Sequence, residues 1–329
     1  LCLSGVGKAL ALFLGGTKMA AYIIRRLLHT ILVVFAISLI IFFSIRLTGD
    51  PVSVMFSAGE PTKEAIEEVR RNLGLDKPIY VQYGIFLKGL VTFDLGESFR
   101  SGMPVMDLIM ERLGATLALA FGGITVAMLI AFPVGILSAV KRGTGVDFFG
   151  RIFSLIGISF PNFWLGIMLI LIFAVNLKWL PSSGFESFEH LILPSITLGM
   201  ILSGILARLV RSSMLEVMNQ QYVSTAKSKG ISDWAVIIKH AFRNALLPTV
   251  TFLGLQFGSL LGGTVIVEQI FSWPGIGRLI IDAINQRDYP VIQGGVIFLA
   301  VIMVVVNLII DLSYTLIDPR IKIGGSGRA

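Results

Sequence analysis

Between two long runs free of Asp, Glu, Lys and Arg lies Tyr222-Val-Ser-Thr-Ala-Lys-Ser-Lys-Gly230, followed by Ser232 to Arg243 and then Asn244-Ala-Leu-Leu-Pro248. The stretch is basic and helix-forming, an amphipathic insertion between apolar segments. Its second half predicts a helix with Ser232 as N-cap and Asp233 in the positively polarised first turn. Trp234, Ile237, Ile238, Ala241, Phe242 and Ala245 recur at helical spacing, while Lys239, His240, Arg243 and Asn244 fall largely elsewhere. Gly230 sits where the preceding short helix must stop and reverse, a position that often requires positive φ.

The flanking runs set the solvent. Apolar residues make up 55% of the chain and charged residues 14%, against roughly 25% charged in a soluble domain, and the mean hydropathy is +0.85. Charge-free runs cover 27–45, 115–140, 152–177, 191–207, 245–267 and 289–310. Each is close to the roughly 20 residues a helix needs to cross a bilayer. Long unalternating runs are unlike barrel strands, and lipid offers no partner to an exposed backbone. The expected fold is therefore an all-α membrane protein of six transmembrane helices, with 191–207 the shortest span and interrupted by Pro194. Pro133, Pro161 and Pro194 are expected to kink their helices. Gly258-Ser-Leu-Leu-Gly262-Gly263 carries a small-xxx-small pattern suited to close helix packing.

An even number of spans puts both termini on one side. That side holds Lys18, Arg25, Arg26, Lys141, Arg142, Arg151, Arg208, Arg211, Lys227, Lys229, Lys239, Arg243, Arg320 and Lys322, while the opposite short loops offer Lys178, Arg278 and Arg287. The termini thus read as cytoplasmic. The net charge of +7 follows from this topology and lipid contact, without a nucleic-acid partner. Residues 48–112 read as a small extracytoplasmic segment after the first helix, 19–47. It opens with the turn Thr48-Gly-Asp-Pro51, then a helix capped by Thr62 with Ala65, Ile66, Val69 and Leu73 at helical spacing and Gly74 to end it, then a second apolar stretch at 79–90. Residues 113–322 form the five-helix core, with the basic insertion at 212–244 and a tail at 323–329. Met19 is expected to be the natural start, which makes 1–18 a non-native or mis-started extension; the stretch lacks the pattern of a cleaved signal peptide.

Three readings compete for the basic insertion: a solvated loop that obeys the positive-inside rule, a DNA-type helix-turn-helix, and a docking surface for a soluble partner. Spans begin within a few residues on both sides, which leaves no independent DNA-binding domain. Periodicity does not separate the other two. Catalytic chemistry is missing: Gly7-Lys8 is followed by Ala9 and lacks a correctly spaced Gly, so there is no P-loop. Cys2 is the single cysteine and His29, His190 and His240 are dispersed, which excludes a high-affinity metal cluster. Glu268 and Asp311, with Asn307 one turn before the latter, are ionisable groups near span ends and stand as candidates for the pathway or for packing, together with Gly258, Gly262 and Gly263.

Several segments together resemble the permeases of ABC importers, in the dipeptide, oligopeptide and nickel branch: Thr48-Gly-Asp-Pro51, Leu73-Gly-Leu-Asp-Lys-Pro78 with Gln82-Tyr83, Asp94-Leu-Gly96, Arg211-Ser-Ser-Met214, Asn244-Ala-Leu-Leu-Pro248, Phe271-Ser-Trp-Pro-Gly275 and Arg287-Asp-Tyr-Pro290. The resemblance runs from Met19 to Lys322. Ser224-Thr225-Ala226 with Gly230 is similar to the EAA-type coupling loop, with Ser224 at the place of the usual Glu and Pro248 further from Gly230 than in sugar-type permeases. The resemblance implies a type I ABC importer permease and makes Tyr222, Ser224, Thr225, Ala226, Lys227, Gly230, Asn244 and Pro248 the ATPase-coupling set. It also implies a homologous second permease subunit, two ATP-binding subunits that use ATP and Mg, an extracytoplasmic solute-binding protein, and a bacterial or archaeal plasma membrane. No cofactor or catalytic residue would belong to this chain. The cargo would be a dipeptide, oligopeptide, glutathione or chelated nickel. A gradient-driven secondary transporter is the rival, but it would need several ionisable groups at mid-membrane, which these runs lack. A structural scaffold gives no reason for the insertion.

Overall fold

The computed structural model describes residues 28–47, 64, 67, 70, 71 and 75–317, without side chains at 263 and 311–317. The extension 1–18, Met19, the turn at Thr48–Pro51, the Asp311 side chain and the tail 323–329 lie outside the described residues, as do Thr62, Ala65, Ile66, Val69, Leu73 and Gly74 of the helix expected after that turn, of which Glu64, Glu67, Arg70 and Arg71 are described and helical.

Among the described residues the chain is helical, without a strand. Five helices are long and apolar enough to cross a membrane, and six if one bent pair counts as a span. They are α1 (Leu28–Leu47), α3 (Val105–Val140), the bent pair α4 (Gly145–Ser159) and α5 (Asn162–Leu169, continued by the π-helical stretch Ile170–Asn176), α6 (Phe188–Met218), the span Asp233–Gly262, most of which is the start of α9 (Arg243–Ile270), and the span Tyr289–Ile310 of α11 (Tyr289–Ile317). The shorter α2 (Ile79–Thr92) follows the first span, α7 (Gln221–Ser228) and α8 (Asp233–Ala235, continued by the π-helical Val236–Phe242) precede α9, and α10 (Ile276–Gln286) joins α9 to α11.

Small residues set the central packing. A Cβ on Gly199 would lie 2.6 Å from the Gly123 carbonyl oxygen, and one on Gly135 would lie 2.8 Å from that of Ala207. Side chains there would hold α3 and α6 apart, so the two backbones meet through glycine, as lipid-embedded helices do when dispersion supplies the attraction. The register rises together along both helices, which makes them parallel. By contrast α4 meets α6 at Gly157 against Gly204 and again at Asp147 against Arg211, a falling register, and so runs antiparallel to it. The main apolar core, including Ala127, Ala131, Leu206, Ala207, Val210, Met214, Ile237 and Ala241, lies where α3, α6 and the π-helical Val236–Phe242 converge.

One span expectation needs correction and another is extended. Pro161 breaks the run 152–177 outright: α4 and the helix resuming at Asn162 meet at 102°. The pre-proline residue Phe160 is extended (φ −87°, ψ 130°), as the ring dictates, and Pro161 becomes the N-cap of the new helix. The run 191–207, the shortest in sequence, belongs to a 31-residue helix that absorbs Pro194 and extends through Arg208 and Arg211. Pro133 likewise sits inside continuous α3.

The segment after the first helix packs on it. The Tyr83 ring lies 5.0 Å from that of Phe42, its hydroxyl is 2.9 Å from Ser38 Oγ, and the Arg46 guanidinium donates to Gln82 Oε1 at 2.8 Å.

Candidate functional site: the 221–244 surface and its opposite end

The turn from α6 into α7 is short: Asn219 and Gln220 close it with N–H bonds to the Glu216 and Val217 carbonyls. On α7, Val223 and Ala226 are three residues apart and therefore share a face. Both are buried against Val236. Two valines and an alanine supply at most about 5 kcal/mol of apolar burial, a thin attachment for a helix. The other face presents Ser224, Thr225, Lys227 and Ser228 to solvent. The Thr225 and Ser228 hydroxyls donate to carbonyls one turn back, at 3.0 and 3.1 Å.

Gly230 ends the element. Its N–H donates to the Lys227 carbonyl at 3.0 Å and its φ is 76°. A Cβ there would meet nothing within 4 Å, so the requirement is conformational and not spatial. Beyond it Ser232 takes the N-cap position but its hydroxyl makes no capping bond, which corrects the expectation of a side-chain cap. The apolar stripe is buried in part. Ile237, Ala241 and Ala245 are buried, yet Trp234 is 62% exposed and Ile238 37%, while Val236 is sealed. Val236–Phe242 is π-helical, and its i→i+5 bonds shift the register of that stretch away from the 3.6-residue period; Trp234 lies before it, in the α-helical turn Asp233–Ala235.

A side-chain bond closes the hairpin. Asn244 Nδ2 donates to the Tyr222 hydroxyl at 2.7 Å and to the His240 carbonyl at 3.0 Å. Lys227 and Asp233 form an exposed ion pair at 3.4 Å. Thus Tyr222, Ser224, Thr225, Ala226, Lys227, Gly230 and Asn244 share one surface. Pro248 does not join it; it lies exposed one turn further along α9.

The pathway-or-packing candidates separate. A Cβ on Gly258 would lie 2.8 Å from Asn307 Oδ1, so α9 and α11 touch there, whereas Gly262 faces open space. Glu268 is fully buried at the opposite end of the bundle. Its Oε1 accepts from the Thr116 hydroxyl at 2.8 Å and its Oε2 from the Arg278 N–H at 3.0 Å, while the Thr116 oxygen accepts from the Ile276 N–H at 2.9 Å. Glu268 and Thr116 thereby satisfy N–H groups of the first turn of α10, the groups a helix leaves without internal partners. Gly275 is needed because a Cβ would lie 2.2 Å from the Glu268 carboxyl. The Trp273 indole N–H donates to the Ala115 carbonyl at 2.8 Å, and buried Asp288 accepts from the Ser98 hydroxyl and the Phe99 N–H. Segments far apart in sequence, 94–116 and 268–290, are thus joined into one clasp.

The chain matches two descriptions over most of its length: "Binding-protein-dependent transport system inner membrane component" over residues 131–323, and the N-terminal part of such components over residues 19–120. The dipeptide transport system permease protein DppB of Alkalihalophilus pseudofirmus is 43% identical over 92% of this chain and 100% of its own length. The chain belongs to this family. It is the membrane-spanning permease of a binding-protein-dependent ABC importer. The glutathione transport system permease protein GsiC of Escherichia coli K12 is 41% identical, over 92% of this permease and 99% of its own length. In fold the permease resembles a chain of the inward-facing MetNI methionine ABC transporter, with a TM-score of 0.54 and 19% identity over 65% of this chain and 97% of that one.

Sequence reading of the permease missed Asp147. It is buried, with the Arg211 guanidinium donating to both its oxygens at 2.7 and 3.0 Å, the Gly143 N–H donating at 3.1 Å, and Arg151 Nε 3.6 Å away. The available signal was a lone acid in the basic stretch Lys141-Arg-Gly-Thr-Gly-Val-Asp147 with Arg151 beyond it.

Proposed function

We propose that this permease forms half of a translocation pathway for peptides or similar small solutes, and that ATP hydrolysed in partner subunits drives it through the α7–Gly230 hairpin. The observation that carries this reading is the hairpin itself. A short helix with a wholly exposed polar face, thinly seated on Val236 and reversed at Gly230, is built to be held by something outside the chain. The other participants are a homologous second permease, two ATP-binding subunits using ATP and Mg, and an extracytoplasmic binding protein; the ATPase chemistry is theirs, and this chain binds no cofactor. Tyr222, Ser224, Thr225, Ala226, Lys227, Gly230 and Asn244 form or brace the ATPase contact, with Pro248 at the root of α9. Glu268 serves packing, as its bonds to α10 indicate. The cargo class follows from relatives named for dipeptide and glutathione transport; chelated nickel belongs to the same range.

The hairpin faces the cytoplasm of a bacterial or archaeal plasma membrane, with both termini on the same side. An introduced cysteine at Ser228 should resist an impermeant reagent in intact cells, and one at Ser57 should react; the reverse pattern would invert the topology. In liposomes the lone chain should neither hydrolyse ATP nor accumulate peptide under a proton or sodium gradient, and the complete transporter should do both with ATP. Gradient-driven accumulation by the lone chain would overturn the proposal.

A further inference from the structure

Resting on the coupling reading above, we propose that Asp147 is a two-position latch: paired with Arg211 it locks the α6–α7 arm to the broken third span, and held by Arg151 it lets that arm move. Arg211 lies two turns before the end of α6, and only Asn219 and Gln220 separate that end from α7. Whatever fixes Arg211 therefore fixes the base of the coupling hairpin. Asp147 does so from the first turns of α4 through a fork of two bonds, at 2.7 and 3.0 Å, which sets both position and orientation.

Asp147 is sealed while 22% of the Arg211 side chain stays exposed, so the pair is desolvated mainly on the carboxylate side. A buried ion pair returns little beyond its desolvation cost and is often matched by apolar residues, so a registry or switching role is its best-attested use. Moreover α4 and α6 are already joined nearer mid-membrane, where a Cβ on Gly204 would lie 2.7 Å from the Ser154 carbonyl oxygen. That contact is apolar and glycine-lined, a pivot; the ion pair lies at the far end of the same helix pair, where a small rotation moves it most.

Arg151 makes the pair releasable. Losing one partner of a buried pair strands the other charge, which is the costly event. Here Arg151 Nε stands 3.6 Å from Asp147 Oδ1, the oxygen that accepts from Arg211 Nε, and its side chain is 58% exposed. One turn along the same helix, it travels with Asp147 and keeps the carboxylate paired when Arg211 leaves. The Gly143 N–H, also on the Asp147 side of the contact, stays with it.

The test is a distance. With Cys2 replaced by serine, spin labels go on cysteines at Lys141 and Ser228, both exposed, in the complete transporter purified through a tag on this chain. Pulsed EPR reads the separation with and without a non-hydrolysable ATP analogue. The parent should show one narrow resting distance that shifts with nucleotide. Asp147→Asn and Arg211→Gln should already populate the shifted distance at rest, by about tenfold more than the parent. The charge swap Asp147→Arg with Arg211→Asp should restore the narrow resting distance. Arg151→Gln should keep the parental resting distance but need about twofold more nucleotide to leave it. A parental resting distance in Asp147→Asn overturns the latch, and a parental nucleotide response in Arg151→Gln overturns its second position. Should Asp147→Asn fail to assemble, the exposed Arg151→Gln decides. A parent that never responds to nucleotide counts against the coupling reading, while a resting distance in Asp147→Asn that departs from the parent's still supports the latch and an unchanged one still overturns it.

Discussion

At the clasp end of the bundle the Glu268 carboxyl and Trp273 are sealed from solvent and bonded to α3, and Gly275 is admitted only because nothing larger fits beside the carboxyl. At the hairpin end α7 is held by Val223 and Ala226 packed on Val236 and Val217, one Tyr222–Asn244 bond and an exposed ion pair. The first arrangement tolerates no displacement without leaving buried polar groups unpaired. The second can shift at the cost of a few weak contacts, each replaceable by water or by a partner surface. On the proposed coupling, motion enters at the hairpin: alternating access needs an element of low local stability next to a rigid frame, and the two ends are suited to one role each.

Gly275→Ala attacks the frame and should have the largest effect. Its methyl would push the Glu268 carboxyl off Thr116 and the Arg278 N–H, at about 3 kcal/mol from overpacking and lost buried bonds. The check is the melting temperature and yield of the purified complex; parental values would show that the clasp gives way easily and would erase the contrast. Gly230→Val attacks the hairpin without a clash. The strain of a β-branched residue at φ 76° is about 1–2 kcal/mol, confined to the reversal. Uptake should fall about tenfold with the amount in the membrane unchanged, and Gly230→Asn should fall less, since asparagine enters that region more readily. Normal uptake in the valine variant would remove Gly230 from the coupling account.

Tyr222→Phe sharpens the comparison further. It deletes the 2.7 Å bond from Asn244, about 1 kcal/mol, and uptake should drop a few-fold while the melting temperature barely moves. Lys227→Ala should change stability least, by less than about 0.5 kcal/mol, because the ion pair is exposed. Any larger fall in uptake would then report a contact that Lys227 makes outside this chain.

Much of the frame was readable in advance because lipid is a demanding solvent: a charge-free run of span length has few alternatives to a helix, and the 31-residue α6 only extends such a run. The need for glycine at 230 was readable for an equally local reason, since a helix that must reverse needs a left-handed residue. What escaped depends on packing. Whether Pro161 kinks or breaks a span is decided by what neighbours can satisfy the freed backbone, and here it breaks at 102°. The π-helical winding over Val236–Phe242 is a second case, since the residues carry no periodic mark for it. Asp147 looked like one acid among surface cations until α6 brought Arg211 against it.

The central claim, that ATP-driven movement enters at the hairpin while the clasp stays fixed, is tested most directly by hydrogen–deuterium exchange on the complete transporter with and without a non-hydrolysable ATP analogue. Backbone protection should change across 221–244 and remain constant across 268–288. A change confined to 268–288, with 221–244 unaltered, would contradict it.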